Sequence, residues 1–284
     1  VICVGNLTIG GTGKTPFAIN VFKLLKNMGH NPAFLTRGYG GKNHGPLEVK
    51  SNHTHFEIGD EALLLSNVGT TIVSKNRSSG AKFIENDDRN FDIIIMDDGL
   101  QNNQLHKDIN ILLIDKNRIF GNEYCIPAGP LREPLSYGIK KINTIILTGN
   151  NEEKFHLNYK IMKNIPVFNS KIVIENLPKI KKNDVLAFCG LANPLKFYKT
   201  LEENKFNVIR TRTFPDHHKY TNEDIFNLEK EAKKEKLQLI TTEKDYVKIE
   251  SKNKNLINVL PINLILAKKD EAKFKSFLKD LING

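Results

Sequence analysis

Cysteine is scarce in this chain, tryptophan is absent, and no apolar run reaches the about eighteen residues that a membrane-crossing helix needs. Cys3, Cys125 and Cys189 are scattered and odd in number. They form no CxxC pair and suggest no disulfide framework, no zinc site is visible, and a reducing compartment is the simplest reading. The missing tryptophan decides nothing. No internal repeat, low-complexity tract or signal peptide is legible. Acidic residues are fewer than basic ones, 32 against 42, leaving a net charge of +10. Such an excess suits nucleic acid, an anionic membrane surface or a phosphorylated substrate, but a chain rich in lysine also acquires a merely solvated basic surface. The interleaved aromatic and basic stripe that single strands require is lacking, so no nucleic-acid partner is expected.

What is present is an ordinary apolar fraction, 39% of 284 residues, enough to bury a real core. Short apolar runs bounded by Gly or Asp alternate with helical patterns. Strands are expected at Val1–Gly5, Ala33–Thr36, Thr71–Ser74, Asp92–Met96, Ile109–Ile114 and Thr144–Leu147, with helices at Lys14–Met28, Asp60–Ser66 and Arg77–Glu85. Near-continuous apolar strands mark a parallel sheet covered on both faces. The pattern breaks from Asn150 to about Pro178, where Val167–Phe168 and Ile172–Ile174 suggest a small β-ribbon. It then resumes, with Val259–Leu266 read as one strand and Glu271–Ile282 as a closing helix. The expected fold class is therefore α/β: a P-loop NTPase-like lobe over residues 1–150, a short β linker over 151–178, and a smaller Rossmann-like lobe over 179–284.

The first lobe opens on the most informative segment, Gly5-Asn6-Leu7-Thr8-Ile9-Gly10-Gly11-Thr12-Gly13-Lys14-Thr15-Pro16. It follows a strand and begins a helix, the context a phosphate-binding P-loop requires. Glycines let backbone N–H groups point into one concavity, and the helix N-terminus adds its dipole. Thr8, Ile9, Gly10, Gly11, Thr12 and Gly13 are expected to cradle the phosphates of ATP. Lys14 reaches the outer phosphates and Thr15 offers a hydroxyl to Mg²⁺. Thr8 stands where the strict pattern has glycine, and the Gly10-Gly11 pair supplies the curvature instead.

A P-loop needs a second, carboxylate element. Phe91-Asp92-Ile93-Ile94-Ile95-Met96-Asp97-Asp98-Gly99 provides it, an apolar strand ending in two aspartates on the rim that carries the loop. Either Asp97 or Asp98 is suited to hold Mg²⁺. A GTPase is disfavoured because no Asn-Lys-x-Asp motif occurs; Thr242-Glu243-Lys244-Asp245 is only superficially similar. A P-loop ATPase that couples hydrolysis to a protein partner is the alternative to a kinase.

Seven further motifs follow in order: Thr36-Arg37-Gly38-Tyr39-Gly40-Gly41, Gly59-Asp60-Glu61-Ala62, Asp97-Asp98-Gly99-Leu100-Gln101, Pro127-Ala128-Gly129-Pro130-Leu131-Arg132-Glu133-Pro134, Phe188-Cys189-Gly190-Leu191-Ala192-Asn193-Pro194, Phe214-Pro215-Asp216-His217-His218-Lys219-Tyr220 and Thr241-Thr242-Glu243-Lys244-Asp245. Together they resemble the tetraacyldisaccharide 4′-kinase family, the lipid A 4′-kinases of Gram-negative bacteria. The resemblance runs from Val1 to about Val247.

It implies transfer of the γ-phosphate of ATP to the 4′-hydroxyl of an acylated disaccharide 1-phosphate lipid, yielding lipid IVA, in a cleft between two Rossmann-like lobes. It also implies work at the cytoplasmic face of the inner membrane, where a basic surface meets anionic lipid. Family members usually carry a hydrophobic segment ahead of the first strand. The chain starts directly on that strand, so it is expected to be peripheral, or anchored by an upstream segment that it lacks, and to act as a monomer. By resemblance, Asp60 is the base toward the sugar hydroxyl, whereas an Asp at a helix start is otherwise an N-cap. His217 is its implied partner, with adjacent His218 not separable by spacing. Arg132 is suited to neutralise the transferring phosphate and Glu133 to reach Mg²⁺, unless the two form a structural ion pair. Arg37 and Tyr39 are expected to contact substrate or phosphate.

Overall fold

In the computed structural model, which describes residues 1–149, 162–174 and 184–283, the chain is a mixed α/β protein with a large, mainly parallel sheet and a second, smaller one. The first part contains β1 (Ile2–Gly5), α1 (Lys14–Asn27), β2 (Pro32–Thr36), β3 (Leu47–Glu48), α2 (His55–Ile58), α3 (Asp60–Ser66), β4 (Thr71–Val73), α4 (Arg77–Glu85), β5 (Ile93–Asp97), β6 (Ile109–Asp115), α5 (Leu135–Gly138) and β7 (Thr144–Thr148). Then come β8 (Val167–Ile174), β9 (Asp184–Cys189), α6 (Pro194–Glu203), β10 (Asn207–Thr213), α7 (Asn222–Glu235), β11 (Gln238–Thr242), α8 (Glu243–Tyr246), β12 (Ile257–Leu260), β13 (Ile262–Leu266) and α9 (Lys268–Asn283).

The large sheet runs β13-β8-β7-β6-β1-β5-β2-β4-β3. β8 through β4 are mutually parallel, and β13 and β3 pair antiparallel at the two edges. The pleat explains the continuous apolar strands. Ile2 and Val4 face one way, toward Phe17, Val21 and Phe274, while Cys3 faces the other, toward Leu7, Ile84 and Leu100. Each face is roofed by helices, so neither side tolerates polar residues. Because the strands are parallel, their carboxyl ends gather on one rim, where β1, β2, β4 and β5 release the loops that matter below.

The small sheet, β10-β9-β11-β12, is parallel throughout. α7 covers one face through Ile225 and Leu228, and α6 covers the other through Phe197 and Leu201.

Two expectations about organisation are corrected. Residues 151–178 were expected to hold a β-ribbon linker; of these, 151–161 and 175–178 lie outside the described residues. The rest contains β8, a full member of the large sheet paired with β7. The expected single strand over 259–266 is two strands in two sheets. Pro261 has no N–H to donate to a ladder, and the chain switches sheets there. β12 completes the small sheet, and β13 returns to the large one beside β8. α9 follows it, burying Phe274 against Phe17 and Phe168. Leu264, Leu266, Phe274 and Leu278 of β13 and α9 therefore join the core of the first part of the chain, not that of the lobe expected over 179–284.

Candidate active site

The glycine-rich loop leaves β1 and enters α1 through Gly13, whose φ of 88° lies in the left-handed region that favours glycine. No side chain caps α1, so its first backbone N–H groups stay open on the rim. Thr12, Lys14 and Thr15 are buried at this turn. The Thr15 hydroxyl donates to Asp97 Oδ2 at 2.8 Å, joining the loop to the end of β5. Asp97 Oδ1 is buried with no hydrogen-bond partner.

Burial, with Glu61 and Asp98 nearby, pushes the Asp97 carboxyl up to about 7, against the opposing pull of Thr15 and Lys14. Glu61 is likewise raised by burial and then by the neighbouring Asp60 and Asp98. Asp98 sits at φ 51° in the turn after β5 and lies between two cations. Arg132 Nη1 donates to its Oδ1 at 2.7 Å, and Lys14 Nζ is 3.6 Å from its Oδ2. Asp98 thus faces the cations and Asp97 faces Thr15, which divides two carboxylates that spacing alone left equivalent. Arg132 and Glu133 do not pair with each other. The Glu133 carboxylate accepts from Gln101 Nε2 at 2.9 Å and from Lys141 Nζ at 3.2 Å.

Asp60 begins α3, directly after Gly59 at φ 86° and ψ 155°. A Cβ on Gly59 would lie 2.3 Å from the Tyr39 carbonyl oxygen, so only glycine lets the Arg37–Gly40 loop pass this close. Asp60 is 4% exposed, and its Oδ1 accepts from the Glu61 N–H in the first turn of the helix at 3.0 Å. Its Oδ2 is 3.0 Å from His217 Nδ1, across 157 positions of sequence and from one sheet's layer to the other's. Burial drives the Asp60 carboxyl up, but the His217 hydrogen bond and the charges of Lys244 and Lys248 outweigh it and leave it below the ordinary value.

His217 has φ 58° and is half-buried. Its ring meets Tyr39 edge to face at 5.2 Å. His218 is turned the other way: its Nε2 lies 3.0 Å from Asp224 Oδ2. That carboxylate also accepts from the Thr221 N–H at 2.8 Å in the capping box that starts α7. The two histidines thus separate, one to Asp60 and one to the helix cap. Arg37 is exposed on the rim, close enough to lower the buried Arg77 guanidinium after burial itself, to about 10.

One participant went unassigned from sequence. Lys244 Nζ is 3.2 Å from His217 Nε2 and 3.2 Å from Asp216 Oδ1. Its motif was visible, but a lysine in a short helix gives no hint of a partner 27 positions away.

A tetraacyldisaccharide-1-P 4′-kinase family model matches residues 1–283. The chain belongs to this family. As a member it is a kinase, an enzyme that phosphorylates a tetraacyldisaccharide 1-phosphate at the 4′ position. It is 36% identical over 289 residues to a tetraacyldisaccharide 4′-kinase of Rhodopseudomonas palustris, covering 100% of this chain and 84% of that one. A tetraacyldisaccharide 4′-kinase of Methylobacterium nodulans is 39% identical, with 99% and 83% covered. Among solved structures, LpxK from Aquifex aeolicus, crystallised in complex with ATP, superposes with a TM-score of 0.77 at 29% identity, covering 99% of this chain and 88% of that one. The resemblance read from motifs up to about Val247 therefore extends through β13 and α9.

Proposed function

We propose that this 4′-kinase binds ATP on the glycine-rich loop as a P-loop and takes the proton of the acceptor hydroxyl on Asp60. The carrying observation is the 3.0 Å contact between His217 and a buried Asp60 on the rim where Lys14, Asp98 and Arg132 converge. Phosphoryl transfer asks a protein mainly to position its reactants and to stabilise charge on the transferring group. The open N–H groups at the start of α1 and the Lys14 ammonium receive the phosphates. Arg132 and Lys14, held by Asp98 in the resting protein, are free to turn toward that charge. Asp60 accepts the hydroxyl proton, and His217 orients its carboxylate. Arg37 and Tyr39, on the loop beside Asp60, contact the acceptor.

Mg²⁺ fits the hard oxygen donors Thr15 and Asp97, of which Asp97 Oδ1 is buried without a partner. Among the described residues no group of three or more His, Cys, Asp or Glu side chains is arranged for a metal, which suits an ion held by one or two protein oxygens plus substrate phosphates. When bound, the ion neutralises charge on the phosphates.

The two sheets and their helices form two lobes, and the acceptor lies between them. A single chain supplies both ends of the site, as a monomer would. An acylated acceptor resides in a bilayer. With a net charge of +10 and no helix among the described residues long and apolar enough to cross a membrane, the chain meets an anionic surface, at the cytoplasmic face of the inner membrane. The test supplies ATP, Mg²⁺ and a tetraacyldisaccharide 1-phosphate and looks for the 4′-phosphate by mass spectrometry. Product with the wild type and its loss in Asp60→Ala are expected; undiminished product from Asp60→Ala removes Asp60 from the reaction.

A further inference from the structure

The His217 ring is held on three sides. Asp60 from α3 faces Nδ1, Tyr39 from the loop after β2 meets the ring, and Lys244 from α8 faces Nε2. Asp216, in the ring's own loop, is the remaining charged neighbour, and its Oδ2 is 3.9 Å from Nε2, beyond hydrogen-bonding distance. Behind Asp60 stand Glu61 and Lys248.

An ammonium group has three N–H donors and no acceptor. At 3.2 Å from Lys244 Nζ, His217 Nε2 makes a hydrogen bond only by offering its lone pair. The ring proton then belongs on Nδ1, where it donates to Asp60 Oδ2. The ammonium is itself fixed: Asp216 Oδ1 accepts a second of its protons at 3.2 Å, and Asp60 Oδ2 lies 4.0 Å away. α8 sets that position. Thr242 caps the helix by accepting from the Asp245 N–H at 3.1 Å, and Asp245 is pinned by a buried ion pair with Lys248 at 2.7 Å.

We propose that Lys244 is a positioning residue that holds His217 as the neutral Nδ1–H tautomer and so keeps Asp60 an available proton acceptor. This rests on the Asp60–His217 reading given above. A proton arriving at Nε2 would set an N–H against the ammonium at hydrogen-bonding distance, an arrangement with two donors and no acceptor. The neutral imidazole is the form this contact accommodates. It gives Asp60 one directed hydrogen bond without neutralising the carboxylate. The acceptor hydroxyl passes its proton to an Asp60 oxygen, its own oxygen bonds the γ-phosphorus of ATP as the bond from that phosphorus to the bridging oxygen breaks and ADP leaves, and the ring keeps its Nδ1 proton throughout. Without Lys244 the ring gains a free lone pair at Nε2. It can then take a solvent proton and form an imidazolium–carboxylate pair, in which Asp60 is a poorer base.

The experiment uses the full chain labelled with ¹⁵N-histidine, as wild type, Lys244→Met, Lys244→Gln and Lys244→Arg, with His217→Ala assigning the resonances. In the wild type and Lys244→Arg, His217 should show a protonated Nδ1 and an unprotonated Nε2 from about pH 6 to 8. In Lys244→Met and Lys244→Gln it should titrate within that window. The acid limb of kcat should move up by about one pH unit in both, with KM for ATP little changed, and Lys244→Arg should restore it. An unchanged His217 tautomer and acid limb in the two neutral variants overturns the inference, and so does an equal loss of kcat at every pH. If His217→Ala keeps full activity, it is the Asp60–His217 reading that fails, whatever the tautomer.

Discussion

The two ends of the site are built differently. At the phosphate end, Thr12, Lys14 and Thr15 are neighbours in one turn, all buried, and their partners Asp97 and Asp98 lie at the end of the adjacent strand. At the acceptor end, Asp60 comes from one sheet's layer while His217 and Lys244 come from the other's, and His217 and Lys244 remain partly exposed. The phosphate end is a local structure that needs one sheet. The acceptor end exists only where two packed units meet, so it is the more sensitive to how they sit together. It also uses uncommon local geometry: His217 is a non-glycine residue at φ 58°, and Gly59 at φ 86° takes a conformation that favours glycine.

The sharpest way to break the comparison is at the acceptor end. Asp60→Ala and His217→Ala should each lower kcat by about 10²–10⁴, the usual share of a positioned base. Residues acting as one unit lose non-additively, so the double variant should be little worse than the worse single one. Multiplicative losses in steady-state kinetics would show two independent roles. Lys14→Ala tests the phosphate end. Loss of a charge aimed at the transferring group should cost about 10²–10³ in rate with the fold intact by circular dichroism. Full activity with ordinary ATP binding would take the loop out of the reaction.

Two further substitutions sharpen the comparison through stability. Phe274→Ala removes a fully buried ring that packs on Phe17 and Phe168 and should cost about 3–5 kcal/mol. Hydrogen exchange should quicken first in α1 and β8. Quickening confined to β9–β12 would return the closing helix to the small sheet. The smallest effect concerns Asp97, whose carboxyl is pushed up to about 7 by burial and its carboxylate neighbours. Between the ordinary carboxylate range and that value the folded protein binds a proton that the unfolded chain has released. Stability therefore falls as pH rises to about 7 and stays lower above it. Asp97→Asn should then raise the Tm of the ligand-free protein at pH 8, by about 2–4 °C for each kcal/mol regained, with the gain shrinking toward pH 4. A gain independent of pH would mean that the charge is not what is being removed.

Local patterning was enough for most of the elements. β1, β2, β5, β6 and β7 read as apolar runs because both faces of their sheet are covered, and α1 and α4 read as helical patterns between them. What escaped was allocation. Nothing in Val259–Leu266 except Pro261 says that its halves serve different sheets, and β8 gave no sign that its partner would be β13. Strand partners are chosen by long-range packing, which a periodic pattern does not encode.

The same division holds for the site. The chain by itself determined the strand, glycine-rich turn and helix that we propose as the phosphate end, since the three are contiguous and their form is set by local backbone geometry. It also determined that the motifs of a 4′-kinase occur in order. Only the tertiary structure decided that His217 rather than His218 faces Asp60, that Arg132 pairs with Asp98 rather than Glu133, and that Lys244 closes the acceptor end. Adjacent residues of the same type have the same local propensities; they differ in which way a loop turns them, and that direction is fixed only where α3 of one layer meets α8 and the His217 loop of the other.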